Sequence, residues 1–336
     1  MFNLSESVGI DLGTANSLVY VKGKGIILRE PSVVAVDKNT DEVLAIGEEA
    51  QQMLGRTPEN ILAVRPLKDG VISNFDMTEE MIRRFLIKVI GKTFIFRPRV
   101  MICIPAEVTD VQRRSVQSVA EQAGAKRVEL IEEPLAAAIG AGLSVGEAVG
   151  NMVVDIGGGS CDIAVVSLGG IVTSESLSVA GNTFDSDIKA YIKKFHNLLI
   201  GDPTSENIKI QIGAAYVGAR NLNMEVRGRY ILTGLPKNIT VETEEIANAV
   251  SESVKKIVAC IRRVLEKTPP ELAADILDRG IVLTGGGSLL YGLDKLIQRE
   301  TGGIPTVIAD DPLSCVAIGI GKVLDGEKVR PLDAIK

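Results

Sequence analysis

The chain has 336 residues, 46% of them hydrophobic, which is enough to bury a sizeable core and suits roughly two domains of ordinary size. A net charge of −6 argues against a broad nucleic-acid surface, and it opposes attraction to an anionic membrane except through a local basic patch. Four scattered cysteines without a CxxC pair, and His196 as the sole histidine, argue against zinc motifs, redox motifs and a Ser–His–Asp triad, and make a reducing cytosol the simplest compartment.

The N-terminus lacks a charged start followed by a long apolar run, so no signal peptide is read, and no run of about 18 apolar residues exists to span a bilayer. The opening reads as strand, turn, strand: Val8 to Leu12 apolar around Asp11, Gly13 to Ser17 the turn, Leu18 to Val21 apolar again. Thr78 to Ile90 has helical periodicity, with Met81, Ile82, Phe85, Leu86, Val89 and Ile90 on one face. Val100 to Ile104 is a short apolar run, as in a buried strand. Thr109 to Ala123 opens with a capping-box pattern, Thr109-x-x-Gln112. Pro134 suits the first turn of an Ala-rich helix over Leu135 to Ala141.

The opening grammar then recurs: Met152 to Ile156, the turn Gly157 to Asp162, and Ile163 to Val166. Self-similarity at this distance predicts two related domains. Phe184 to Leu199 and Glu244 to Leu265 read as long amphipathic helices, punctuated by Pro269 and Pro270. His196, near the end of the first of these, is expected to face solvent. Ile281 to Leu283 reads as another buried strand, leading through Gly285-Gly286-Gly287-Ser288 into an apolar helix that begins at Leu289-Leu290. The last helix is Cys315 to Leu324. The mixture predicts α/β architecture.

A nucleotide phosphate needs backbone N–H groups close by, and glycine permits the approach. Gly13-Thr14-Ala15-Asn16 and Gly157-Gly158-Gly159-Ser160 are suitable turns, each preceded by an aspartate that ends an apolar strand. A buried carboxylate is costly unless compensated. Magnesium held partly through water would compensate Asp11 and Asp155. The plainer reading is a pair of Gly-rich hairpins with capping aspartates; duplication favours the phosphate site. The third Gly-rich turn suits a nucleotide packed against backbone at a helix start. Gly91-Lys92-Thr93 imitates the end of a P-loop, but Leu86 stands where its first glycine belongs, and no dinucleotide fingerprint follows the first strand.

The order of these turns resembles the actin-like ATPases, which include sugar kinases and DnaK-type chaperones. Longer segments are more specific. GIDLGTANSLVYVKGKGIILREPSVVA, IEEPLAAAIGA, MVVDIGGG, LEKTPPELAADILDRGIVLTGGGSLL and DPLSCVAIG resemble the bacterial actin-like cell-shape family MreB/Mbl over nearly the whole chain. The resemblance implies an actin-like, ribonuclease H-like duplicated α/β fold with two domains around a nucleotide cleft. Domain I would span 1–145 plus 316–336, with an insert near 33–70; domain II would span 146–315, with an insert near 181–245.

It further implies ATP and Mg2+ as ligands. Gly13, Thr14, Ala15 and Asn16 would form the first phosphate turn, and Gly157, Gly158, Gly159 and Ser160 the second. Thr204, Ser205, Glu206 and Lys209 would touch the nucleoside. Gly285, Gly286 and Gly287, with Ser288, would line the adenine and α-phosphate side. Asp11 and Asp155 would hold the magnesium–water shell. Glu133 matches the family's water-positioning carboxylate, and Ser160 would assist where threonine is usual. Taken alone, Glu132-Glu133 reads as acids complementing a helix N-terminus. Ser160-Cys161-Asp162 in place of Thr-Thr-Glu, Asn182-Thr183-Phe184 in place of an acidic pair and methionine, and Pro203 in place of arginine are departures that put the hydrolysis rate, more than binding, in question.

The expected function is a slow Mg-dependent ATPase that polymerises into membrane-associated filaments, organises cell-wall synthesis and maintains rod shape. The implied partners are further copies of the chain, the inner face of the cytoplasmic membrane, and wall-elongation proteins such as MreC, MreD and RodZ, for a cytoplasmic protein peripheral to the membrane. Phe94-Ile95-Phe96, flanked by Lys92 and by Arg97 and Arg99, would be the lipid contact; read without the resemblance it is a buried turn. Phe2 and Leu4 could add a second small contact. A soluble sugar-kinase-like phosphotransferase, a chaperone and a nucleotide-binding scaffold with little turnover are the rival readings.

Overall fold

The computed structural model describes residues 6–91 and 97–327. The Phe94-Ile95-Phe96 tripeptide, Phe2 and Leu4 lie outside the described residues. The chain opens with β1 (Ser7–Leu12), β2 (Asn16–Val21) and β3 (Gly25–Pro31). An insert follows: β4 (Val34–Asp37), β5 (Val43–Ile46), α1 (Glu48–Met53) and β6 (Ile61–Val64). A small hairpin, β7 (Leu67–Lys68) and β8 (Val71–Ile72), leads to α2 (Phe75–Ile90), β9 (Arg99–Ile104), α3 (Asp110–Gln122), β10 (Arg127–Glu132) and α4 (Glu133–Gly140).

The second half repeats the plan with β11 (Asn151–Ile156), β12 (Cys161–Ser167) and β13 (Gly170–Leu177). Then come α5 (Gly181–His196), β14 (Leu198–Leu199), α6 (Asp202–Ile212), β15 (Asn223–Tyr230) and β16 (Pro236–Glu242). The chain continues through α7 (Thr243–Lys267), α8 (Pro270–Arg279), β17 (Ile281–Thr284), a 3-10 turn (Gly286–Leu289), α9 (Leu293–Glu300), β18 (Thr306–Ile308) and α10 (Cys315–Asp325).

The duplication is visible in the sheets. One has the order β10-β9-β1-β2-β3 and the other β18-β17-β11-β12-β13, read from the opposite edge. In each, an antiparallel meander of three strands adds two parallel strands beside its first. Parallel strands buried on both faces need apolar residues throughout. β11, paired in parallel with β17, is buried at every position, and so is its antiparallel neighbour β12, Asp155 and Asp162 included. Both aspartates are held on directly opposed positions of the β11–β12 ladder.

The amphipathic helices cover these sheets. Phe184, Ile188 and Ile192 of α5, and Ile246, Val250, Val254, Ile257 and Ile261 of α7, pack into one core with β11 and β12. Met81, Ile82, Phe85 and Leu86 of α2 pack with Val8, Ile10 and Ile102 in another. Helix α4 crosses α10 where Gly140 faces the Cys315 carbonyl and Gly319 faces the Ala136 carbonyl, and a methyl group on either glycine would collide with that backbone. Lys322 Nζ ties the crossing further by donating to Ile139 O at 2.8 Å.

Several element bounds differ from the sequence reading. Helix α5 begins at Gly181, not Phe184, and stops at His196 because Asn197 adopts a left-handed conformation (φ 52°); Leu198-Leu199 turn into a strand. His196 does not face solvent freely: it is half-buried with Nε2 2.6 Å from Glu245 Oε1. The helix expected to begin at Leu289-Leu290 is instead the 3-10 turn ending at Leu289, and the α-helix starts at Leu293 after Gly292 (φ 77°).

Candidate functional site

The two Gly-rich hairpin turns face each other across a cleft of about 490 Å³. Their approach is close enough to exclude side chains. A Cβ on Gly158 would lie 2.6 Å from Ala15 Cβ, and one on Gly159 would lie 2.5 Å from Thr14 Oγ1. The second turn closes on itself, Gly157 N donating to Ser160 O at 2.9 Å. It also receives the start of α5, since Gly181 N donates to Gly157 O at 3.1 Å and Asn182 N to Gly158 O at 2.8 Å.

The first turn is braced from the insert side. Ser32 Oγ donates to Gly13 O at 2.6 Å, and Ala15 O accepts from both Ser32 N at 2.9 Å and Arg65 Nη1 at 3.0 Å. Gly70 N donates to Thr14 Oγ1 at 3.0 Å. Gly70 follows Asp69 in the β7–β8 turn, both at positive φ, and this glycine also packs beside Ser160.

Carboxylates form the floor. Asp11 and Asp155 are the penultimate residues of β1 and β11, while Glu133 opens α4 immediately before Pro134. Burial pushes the Asp11 carboxyl up to about 6, against a lowering hydrogen bond from Cys103. Burial likewise pushes Asp155 up to about 7, although Thr284 Oγ1 donates to its Oδ1 at 2.7 Å. Glu133 is raised well above the usual carboxylate range, first by burial and then by the charges of Asp162, Asp11 and Asp155. Cys103 Sγ lies between the two carboxylates of the first half, 3.4 Å from Asp11 Oδ1 and 3.9 Å from Glu133 Oε1.

Asp162, beside Asp155, accepts from Ala106 N at 3.2 Å and from Ser176 Oγ, and so joins the second turn to the corner after β9. Its other oxygen is buried without a partner. The donor set fits a hard cation: buried oxygen ligands that stay costly as anions until a positive charge arrives. No group of three or more His, Cys, Asp or Glu among the described residues is arranged to ligate an ion directly.

Of the residues singled out in the sequence, the cleft is lined by Asp11, Gly13, Thr14, Ala15, Asn16, Glu133, Asp155, Gly157, Gly158, Gly159, Ser160, Glu206, Lys209, Gly285, Gly286 and Gly287. Lys209 Nζ is braced by Asp185 at 2.9 Å and by Gly181 O at 3.2 Å. Thr204, Ser205 and Ser288 do not line it. Ser205 and Ser288 are buried, their hydroxyls donating to Asp202 O at 2.9 Å and Gly285 O at 2.6 Å. The lining also includes Arg29, Gly70, Gly181 and Leu313, which the sequence motifs did not mark, and Asn182 and Phe184 from the Asn182-Thr183-Phe184 departure. The Asp69-Gly70 dipeptide is a hairpin signal and could have found the turn, though not its place in the cleft.

The MreB/Mbl protein family model matches residues 5–330. The chain belongs to the MreB/Mbl family. Among MreB/Mbl relatives it is 53% identical to the cell shape-determining protein Mbl of Bacillus cereus, over 99% of both chains. It is 51% identical to the cell shape-determining protein MreB of Escherichia coli K12, over 96% of this chain and 94% of that one. The crystal structure of MreB 5 of Spiroplasma citri bound to AMPPNP superposes with a TM-score of 0.90 at 38% identity, covering 96% of this chain and 97% of that one. The MamK double helical filament shares the fold, with a TM-score of 0.81 at 22% identity. The fold is therefore actin-like.

Proposed function

We propose that this chain is an actin-like cytoskeletal ATPase with a role in cell shape, which polymerises when its cleft holds Mg–ATP. The observation that carries the reading is the pair of glycine turns closed face to face above Asp11, Asp155 and Glu133 in an MreB/Mbl chain. A relative with 38% identity was crystallised with AMPPNP, a nucleoside triphosphate analogue. The halves on either side of the cleft are taken as 1–145 plus 316–336 and 146–315, with inserts near 33–70 and 181–245.

In this reading Gly13 to Asn16 and Gly157 to Ser160 hold the phosphates. Gly285 to Gly287, Glu206 and Lys209 hold the nucleoside, and Thr204, Ser205 and Ser288 support the same wall. Asp11 and Asp155 hold water ligands of Mg2+, which supplies charge stabilisation for phosphoryl transfer when bound. Glu133 orients a water against the terminal phosphate and accepts its proton. The Ser160 hydroxyl, beside Gly70, helps to hold the water or phosphate in line.

The family reading extends to membrane-associated filaments that organise wall synthesis at the inner face of the cytoplasmic membrane, with MreC, MreD and RodZ as partners. Phe94-Ile95-Phe96 would touch lipid, and since one apolar tripeptide binds weakly, attachment would need many copies along a filament. No helix among the described residues is long and apolar enough to cross a membrane. Pelleting and electron microscopy with Mg–ATP, with and without anionic vesicles, test the proposal. Filaments that form with ATP and decorate vesicles are expected; monomers that persist at high concentration with lipid and ATP would overturn it.

A further inference from the structure

A nucleotide brings its negative phosphates into a cleft already lined by Asp11, Glu133 and Asp155. Among the described residues that line it, the cationic side chains are Lys209 and Arg29. Lys209 is committed to Asp185 and only 16% exposed. Arg29 is placed differently. It stands on β3 opposite Leu18 of β2, and Leu18 and Asn16 line the same cleft.

The Arg29 side chain is 48% exposed. Its Nη2 donates to Ser314 Oγ at 2.5 Å and stands 4.0 Å from Asp311. A guanidinium has five donors, so this arrangement leaves most of them available. An exposed pair at such a distance is held only weakly. Little therefore holds the side chain against a stronger anion.

The wall it leans on borders the Gly285 turn. Pro312 O accepts from Gly285 N at 2.8 Å, and Gly285 is packed so tightly on β11 that its Cβ would fall 2.9 Å from Asp155 Oδ1. Leu18 in turn pairs with Asp11 of β1, so Asp11, Leu18 and Arg29 are successive cross-strand neighbours and Arg29 stands at the Asp11 end of the cleft. Planar bidentate donors suit phosphate oxygens better than they suit a single hydroxyl.

We propose that Arg29 is a phosphate-binding residue of this cleft, and that Ser314 and Asp311 hold its guanidinium at the wall until a nucleoside di- or triphosphate takes it. The inference rests on the nucleotide reading above. It is tested by isothermal titration of ADP and of adenosine, at fixed Mg2+, into the parent chain and into Arg29→Ala, Arg29→Lys and Ser314→Ala.

Arg29→Ala should weaken ADP by about tenfold or more, the scale of a lost charge-assisted hydrogen bond. Adenosine should change by less than about twofold, since it carries no phosphate. Arg29→Lys should recover part of the loss, because it keeps the charge without the fork. Ser314→Ala should leave ADP binding equal or tighter; the Ser314 side chain makes no capping bond to α10, so its loss spares the helix. ADP binding unchanged in Arg29→Ala overturns the proposal. So does an equal loss for ADP and adenosine, or a Ser314→Ala loss matching that of Arg29→Ala, since each would make the contact a structural clasp. A parent chain that binds neither ADP nor ATP would instead sink the nucleotide reading, and this inference with it.

Discussion

Replacing Gly159 by alanine tests whether the two glycine turns work as one phosphate clamp. The added Cβ would lie 2.5, 2.8 and 2.9 Å from Oγ1, Cβ and Cγ2 of Thr14. Non-bonded carbon atoms rest about 3.5–4.0 Å apart, so the turns must separate by roughly 0.7 Å or more. Thr14 cannot simply rotate away without loss, because it is buried and its Oγ1 accepts from Gly70 N at 3.0 Å. Either response displaces groups that, in the proposed ATPase, hold the phosphate and its attacking water in line. A misplacement on the order of 1 Å can cost about a hundredfold in rate. Overpacking at one methyl costs about 1–3 kcal/mol of stability, which a domain of this size survives. We therefore expect Gly159→Ala to remain folded in urea titration while single-turnover phosphate release falls by about a hundredfold. Release at the parental rate, with parental ATP affinity, would refute the clamp.

Glu133→Gln keeps the side chain's size and removes its basicity; phosphate release should fall by about 10² or more while ATP still binds, and equal release rates would remove Glu133 from the chemistry. Gly319→Ala drives a methyl into the Ala136 carbonyl where α10 crosses α4, so the urea midpoint should drop by the equivalent of about 1–3 kcal/mol with an unchanged slope. A midpoint equal to the parent's would mean that the crossing is looser than the packing indicates. The pH dependence of the nucleotide-free chain has a definite sign. Asp11 and Asp155 move from 3.8 to about 6 and about 7 on burial, so between pH 4 and 7 the folded chain holds more protons than the unfolded one. Their contribution is then present below the unfolded value and lost as pH rises through the folded values. Denaturation midpoints should show these two groups acting against stability as pH climbs, with Mg–ATP reversing the trend. Asp11→Asn should flatten the slope, and an identical slope in that variant would contradict the assignment.

The regular elements were legible where a local pattern decides them. Thr109 and Gln112 form both bonds of the capping box expected from their spacing. The start of α5 was not legible, because apolar periodicity begins at Phe184 whereas the helix begins at Gly181. Its first turn is held by bonds to Gly157 and Gly158, 24 residues earlier in the chain for each pair. The end of the same helix depends on Asn197 entering the left-handed region, which asparagine tolerates without announcing it. Leu289-Leu290 looked like a helix start because both are apolar. Leu289 is exposed in the cleft wall and Leu290 is buried, and the positive φ of Gly292 delays the helix to Leu293.

The candidate site divides along the same line between local and distant contacts. The two glycine turns that line the cleft could be read from two short motifs, because glycine turns after aspartate-bearing strands are local. The half that holds these turns in shape could not. The carbonyls of Gly13 and Ala15 are engaged from behind by Ser32 and Arg65, and the Thr14 hydroxyl by Gly70. These supports come from both ends of the β4–β6 insert and from the hairpin after it, so no window of sequence contains a turn and its supports together. Their effect is chemical as well as mechanical. With its carbonyls already satisfied by protein donors, the turn need not reorganise when an anion arrives, and preorganised donors are the ones that stabilise transferring phosphate at least cost. The insert and the first glycine turn therefore share one hydrogen-bond network, and a change in the turn's position must be met by Ser32, Arg65 and Gly70 before it can be met anywhere else.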